Sequence, residues 1–291
     1  MTKDKFEKTH EQIDPQVQER QPGFENEMAP EPIYDDENYK GSGKLEGKVA
    51  LITGGDSGIG RAVAIAYAKE GANIAIAYLD EHEDAEKTVA EAKAYGAQAY
   101  KFATDISQVE NCHQLIVDVI AEFGQLNVLV NNAGKQFPQD DFLDISPEQL
   151  RETFETNIFS MFYLTQAALP HLSKGDSIIN TSSVTAYRGS AGLIDYSSTK
   201  GAITSFTRSL SANISEQGIR VNSVAPGPIW TPLIPASFGA EKVDKQGGDT
   251  PMERRGQPSE VAPAYVYLAS QDSSYVTGQA IHINGGDFIS S

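Results

Sequence analysis

From Lys48 onward, short apolar runs alternate with longer stretches in which apolar residues recur at helical spacing. Val49-Ala50-Leu51-Ile52 is unbroken by polar residues, which suits a strand buried on both faces. Similar runs predict strands over 73–78, 99–103, 126–130, 177–180, 220–224 and 280–283. Helical spacing covers 61–70, 84–95, 109–123, 146–171, 196–216 and 259–269. Gly71, Gly96 and Gly124 close three of these stretches, as C′ glycines do. Ser146-Pro147-Glu148-Gln149 places an N-cap, a proline at N1 and a capping-box glutamine ahead of a fourth. Regular strand–helix alternation predicts an α/β fold: a single doubly wound parallel sheet with helices on both faces. Residues 226–256 hold five prolines and five glycines and read as a loop or lid with one short helix.

The first 44 residues break this pattern. Pro15, Pro22, Pro30 and Pro32 interrupt them, and no helical or strand period persists. Eleven acidic and five basic residues lie between Met1 and Lys40, a net of −6. Such a segment buries little, which predicts a partly mobile arm over 1–44 ahead of a folded body over 45–291. Phe24, Met28, Ile33, Tyr34 and Tyr39 recur through it, so its second half is expected to lie across the body or a neighbouring subunit.

Charge narrows the functional classes. Twenty-three basic and 40 acidic residues give a formal net charge of −17, which argues against nucleic-acid binding and against adsorption on an anionic membrane. No run reaches the apolar length of a membrane span, and Met1 to His10 lacks the apolar core of a secretory signal. Cys112 is the only cysteine, so no intrachain disulfide forms, and a cytoplasmic location is expected. Cys112 reads as a packed helix residue and not a nucleophile. The five histidines show no metal-ligand spacing, so no metal site is expected. Trp230, the only tryptophan, reads as a lid residue packing on a ligand or anchoring the loop.

Two stretches carry candidate chemistry. Tyr196 and Lys200 sit four apart in a predicted helix, hence on one face. An ammonium beside a phenol favours the phenolate, and a tyrosine tuned that way can pass a proton near neutral pH. A surface Tyr and Lys on an amphipathic helix is the plainer alternative. The second stretch is Gly54, Asp56, Ser57, Gly58, Ile59 and Gly60, between the first strand and the first helix of the body. Glycines there let the backbone turn sharply and let a pyrophosphate approach free N–H groups at the helix N-terminus; a mere tight turn is the alternative.

Thr53-Gly54-x3-Gly58-Ile59-Gly60, Asn131-Asn132-Ala133-Gly134, Asn157, Ser183, Tyr196-x3-Lys200 and Pro226-Gly227 occur in the order and spacing of the short-chain dehydrogenase/reductases, which the chain resembles from about Leu45 onward. The glycine loop and the acidic arm also resemble the glucose/ribitol-dehydrogenase-like bacterial and seed proteins. The resemblance implies an oxidoreductase that moves a hydride reversibly between NAD(P) and an alcohol, sugar, aldehyde or ketone. It implies Tyr196 as general acid/base, Ser183 as holder of the reacting oxygen, and Lys200 as tuner of Tyr196 and ligand of the nicotinamide ribose. Asn157 would serve a water relay to Lys200. Asp105 would bind the adenine amino group, with Ile106 beside the ring and Asn131, Ala133 and Gly134 along the adenosine side. Pro226, Gly227 and Ile229 would cover the nicotinamide, and Thr231 would bind its carboxamide. A homotetramer is also implied. Read from the residues alone, Asp105 is equally a helix N-cap, Asn131 to Gly134 a turn, and Thr231 a cap for a helix starting at Pro232.

Cofactor choice is read from charge. Near the adenosine ribose the body offers Asp56, Ser57, Tyr78, Leu79, Asp80 and Glu81, none of them basic. Aspartates there repel a 2′-phosphate, so NAD is expected over NADP, although Tyr78 stands where NAD-using relatives often carry an aspartate. The substrate pocket is expected between 185–190, 135–137 and the lid. Two other readings are kept: a non-catalytic dinucleotide-binding stress or scaffold protein, and a sugar-nucleotide epimerase or dehydratase on a related fold.

Overall fold

The computed structural model describes residues 3–289; residues 1–2 and 290–291 of the expected arm and body lie outside that range. After α1 (Lys5–Glu11) the chain runs β1 (Val49–Thr53), α2 (Gly58–Lys69), β2 (Asn73–Tyr78), α3 (His82–Ala94), β3 (Ala99–Ala103), α4 (Val109–Phe123) and β4 (Val128–Asn131). Then come α5 (Pro147–Phe154), a π-helical segment (Glu155–Phe159), α6 (Ser160–Ala168), β5 (Ser177–Thr181), α7 (Thr185–Arg188) and α8 (Ile194–Ile214). The chain closes with β6 (Arg220–Pro226), α9 (Ala240–Lys245), α10 (Pro258–Ala269) and β7 (Ala280–Ile283). The strands form one parallel sheet in the order β3-β2-β1-β4-β5-β6-β7.

Every residue of β1 is buried, as its unbroken apolar run requires. One sheet face packs on α2, α3 and α10 through small and branched residues such as Ala62, Ala66, Val89 and Val261. The other face packs on α4 and α6 through Leu115, Ile116, Val119 and Leu164. The order of strands reverses between β1 and β4, so the loops after them diverge and leave a crevice at the carboxyl edge. Thr53 closes the base of that crevice: its Oγ1 accepts from the backbone N–H of Asn132 (3.0 Å) and of Ala133 (3.1 Å).

The arm departs from its polar sequence. α1 forms where no period predicted a helix, because Asp4 caps it and a capping box with Glu7 satisfies its first amides. Met28 and Ile13 join Leu193, Tyr196, Trp230, Ile234, Phe238 and Val243 in one apolar cluster. Trp230 Nε1 donates to the Pro30 carbonyl at 2.9 Å, so the tryptophan anchors the lid to the arm. Glu25, 1% exposed, pairs with Arg61, 0% exposed, and accepts from the Gly58 amide at 2.6 Å. Arg61 also donates to Asp84 and to Thr88, so each of its nitrogens has a partner.

Removing one member of a buried ion pair leaves the other uncompensated, at about 3–5 kcal/mol. Glu25→Ala in the full chain should therefore lower the unfolding free energy by roughly that amount in urea titration. A loss under about 1 kcal/mol would mean that the arm does not neutralise Arg61.

Candidate active site

A cavity of about 630 Å³ opens at the carboxyl edge of the sheet, within the range of small-molecule sites. Its floor is the glycine loop. Gly54 (φ +61°) and Gly58 (φ +51°) adopt left-handed backbone, which side chains disfavour. Ser57 gives α2 no side-chain cap, so the amides of Ile59 and Gly60 remain to take an anion. That donor set fits a pyrophosphate. Gly60 itself is not a cavity wall, contrary to expectation. A Cβ there would lie 1.8 Å from the Gly54 carbonyl oxygen, so this glycine permits the helix to approach the loop.

Asp56, Ser57, Tyr78, Asp105, Ile106 and Ala133 line one end of the cavity. Burial pushes the Asp56 carboxyl up to about 6. The Tyr78 hydroxyl is 3.0 Å from His82 Nδ1. Asp105 Oδ1 accepts from the Ser107 amide at 3.0 Å, so it shapes a turn while also facing the cavity. Asn131 is a second departure. It lies in β4 with its side chain turned into the sheet, where Nδ2 donates to Asn180 Oδ1 at 2.9 Å. Side chains alternate along a strand, so its neighbour Asn132 lines the cavity instead, donating to the Thr53 carbonyl at 3.0 Å.

Tyr196, Lys200 and Ser183 meet further along the cavity wall. Lys200 Nζ donates to the Thr181 carbonyl at 2.9 Å and lies 5.3 Å from the centroid of the Tyr196 ring. Burial pushes the Tyr196 phenol up to about 12, and interaction with Ser183 offsets part of that rise. The same burial brings Lys200 down to about 8. The sequence reading assigned the lowering of Tyr196 to Lys200. Here the phenol is raised and not lowered: burial outweighs the partial offset from Ser183, and the ammonium is turned to the Thr181 carbonyl. Ser183 Oγ accepts from the Thr185 amide and hydroxyl, both at 3.1 Å. The adjacent Ser182 Oγ is held by the Lys200 carbonyl at 3.1 Å, which leaves Ser183 as the available hydroxyl.

Asn157 occupies the middle of the π-helical segment and does not line the cavity. An extra residue in a helical turn is a common device at functional sites. Its Oδ1 accepts from the Lys135 amide and its Nδ2 donates to the Lys135 carbonyl, both at 2.8 Å. A Cβ on Gly134 would be 3.4 Å from Asn157 Oδ1 and 3.6 Å from Lys200 Nζ, so the two side chains flank one backbone position.

Pro226, Gly227, Ile229 and Thr231 line the cavity, and the Thr231 methyl would lie 3.0 Å from a Cβ on Gly58. Lys135, Gln136, Thr185, Ser190 and the lid residue Phe238 complete that end. Trp230 takes no part, being committed to the arm. Cys112 is buried, donates to the Ile106 carbonyl and has its thiol pushed up to about 12, unsuited to a nucleophile. Sequence reading missed Pro22 and Gly23, which line the cavity from the arm, whereas Glu81 lines it beside the expected ribose end. Nothing in the local pattern of a proline-broken acidic segment marks such a contact across more than thirty residues.

The family model described as "Enoyl-(Acyl carrier protein) reductase" matches residues 54–287. The chain is 51% identical over 278 residues to "NADPH-dependent aldehyde reductase 1, chloroplastic" of Arabidopsis thaliana, covering 93% of this chain and 96% of that one. It is 48% identical over 284 residues to "Glucose and ribitol dehydrogenase" of Daucus carota, covering 96% and 98%. Among solved structures, a short chain dehydrogenase from Burkholderia cenocepacia J2315 in complex with NADP superposes with a TM-score of 0.79 at 30% identity, over 84% of this chain and 98% of that one. With a glycine loop, a Tyr-x3-Lys pair and a serine gathered at one sheet edge, and with these similarities spanning nearly the whole length, the chain belongs to the short-chain dehydrogenase/reductase family of NAD(P)-dependent oxidoreductases.

Proposed function

We propose that the protein reduces aldehydes or ketones, and oxidises the corresponding alcohols or sugars, with Tyr196 as the general acid/base. The observation that carries this is the convergence of Tyr196, Ser183 and Lys200 on one cavity. The dinucleotide supplies or accepts the hydride when bound. Ser183, steadied by Thr185, donates to the reacting oxygen as charge develops on it. Tyr196 then gives that oxygen its proton, or takes it in the reverse direction. Lys200 keeps a positive charge beside the phenol and reaches toward the nicotinamide ribose. Asn157 holds Lys135 and the Gly134 turn in register with Lys200.

NADP(H) is the favoured cofactor in this reading, which revises the NAD preference expected from charge. The Arabidopsis relative is named for NADPH, and the Burkholderia neighbour contains NADP. Residues 45–291 form the catalytic body and 1–44 an arm that closes on it. A homotetramer is supported by exposed apolar residues on one side of the long helix, Leu150, Phe159 and Phe162, with Phe206 against Phe162 at 4.6 Å. Among the described residues no helix is long and apolar enough to cross a membrane, and a cytoplasmic placement agrees with the single buried thiol.

Tyr196→Phe should lower kcat/KM for NADPH-dependent carbonyl reduction by about 10²–10⁴-fold. Absence of Tyr196-dependent turnover with every carbonyl and polyol tried, followed at the nicotinamide absorbance, would favour the scaffold reading. Lys200 gives a pH test. Its charge is needed in reduction, so kcat/KM should fall as pH rises past about 8. Its folded value lies below the ordinary 10.5, so its contribution to stability is full above 10.5 and lost as pH falls through about 8. Lys200→Met should then be more stable than wild type at pH 7, by on the order of 1–3 kcal/mol, and should lose that advantage near pH 10. A variant less stable than wild type at pH 7 would contradict the assignment.

A further inference from the structure

We propose that Arg20, on the N-terminal arm, recognises the 2′-phosphate of the dinucleotide, a role for which the catalytic body has no residue. The proposal rests on the NADP reading above. The body presents Asp56, Ser57, Tyr78, Leu79 and Glu81 to the end of the cavity where the adenosine ribose is expected, and none is a cation. Arg61 lies close by, but all its nitrogens are already engaged with Glu25, Asp56, Asp84 and Thr88. Lys101 is paired with Glu86 at 2.5 Å.

The arm changes this inventory. Pro22 and Gly23 line the same cavity, so the arm is one of its walls. Three contacts fix it there. The Gln18 amide donates to the Pro235 carbonyl at 2.8 Å, Gln21 Nε2 donates to the Gln136 carbonyl at 2.6 Å, and Glu25 accepts from Gly58 at 2.6 Å. Arg20 sits within this strap. Its guanidinium stacks on Phe24 with 4.2 Å to the ring centroid, and its Nε donates to the Pro22 carbonyl at 2.7 Å. Its Nη2 contacts Asp80 and Glu81, the latter at 3.3 Å. Among the described residues its Nη1 has no partner.

The guanidinium is thus oriented, a third exposed, and left with spare donors; it is not itself a cavity wall but adjoins the expected ribose end through Glu81, which is one. Asp80 is half exposed, so a dianionic phosphate can take its place on Arg20 while the carboxylate turns to water. Burial pushes Glu81 and Asp56 up to about 7 and 6, which reduces the negative charge a phosphate meets there. A 2′-hydroxyl gains nothing comparable from Arg20, so the residue separates the two cofactors.

The test uses the full chain and two fragments that differ only at the ribose, adenosine 2′,5′-bisphosphate and 5′-AMP, titrated by calorimetry. Wild type should bind the bisphosphate more tightly. Arg20→Ala should weaken the bisphosphate by about 10–100-fold and 5′-AMP by less than about threefold. Arg20→Lys should retain part of the preference, and Asp80→Asn should strengthen it by removing the competitor. Wild type that does not distinguish the fragments overturns the NADP reading and Arg20 with it. A wild-type preference that survives in Arg20→Ala overturns the Arg20 assignment alone. Equal weakening of both fragments also overturns it, since the arm then acts only as a wall. Selective weakening in Lys101→Ala, with Arg20→Ala unaffected, overturns it in favour of Lys101.

Discussion

A guanidinium with none of its surface in water has to find its counter-charge inside the protein, and Arg61 finds it in two places at once. Asp84 reaches it from α3 and Glu25 from the arm. Arg61 stands on α2, one turn beyond the glycine loop, and also donates to the Asp56 carbonyl at 2.9 Å. One cation therefore ties together the loop that faces a dinucleotide, the helix after β2, and a segment from the far N-terminus. The shape of the adenosine end follows from satisfying that charge. Without the arm, Arg61 keeps Asp84, but the Gly58 amide and one nitrogen of Arg61 lose their acceptor.

The catalytic end is governed by a related problem, solved without a carboxylate. Lys200 is 2% exposed, and its ammonium has the Thr181 carbonyl as its hydrogen-bond partner. Burial raises Tyr196 to about 12 and lowers Lys200 to about 8, so two proton affinities that nearly coincide in water are set well apart here, with the phenol holding its proton and the ammonium giving its own up more readily.

Much of this was legible in the sequence, and the reasons differ by element. The central strands β1, β4, β5 and β6 are fully buried, so unbroken apolar runs such as Val49 to Ile52 report them directly. The glycine loop was legible because backbone turns need glycine at fixed offsets. Asn131 was misplaced by one residue: in the Asn131-Asn132 pair, identical side chains point to opposite faces, and composition cannot say which one meets the cavity. Gly60 also serves helix packing, which the sequence did not separate from ligand approach, since both demand the same missing Cβ. The π segment around Asn157 left no trace, since an extra residue in a turn barely shifts the apolar period. The arm was legible in part: its recurring apolar residues pointed to a contact with the body, and Met28, Tyr34 and Tyr39 pack there, but the charged anchor Glu25 did not stand out. Its anchors are single residues, Glu25, Met28 and Pro30, each meeting a partner that lies from 33 to about 200 residues away. A composition that favours disorder locally says nothing about such distant partners.

The arm's docking also has an electrostatic sign. Residues 1–40 carry −6 of the chain's −17, so the remaining 251 residues carry −11, and an acidic strap lies on an acidic body. At distances beyond a few ångströms the two repel; what holds them is the desolvated pair at Arg61, the apolar cluster around Trp230, and backbone bonds such as that to Pro30. Dissolved salt screens the exposed repulsion strongly and the buried attraction weakly. Exposed ion pairs between arm and body, such as Arg20–Asp80 and Lys87–Glu31, are screened along with the repulsion, so the buried contacts are the part of the docking that salt leaves in place.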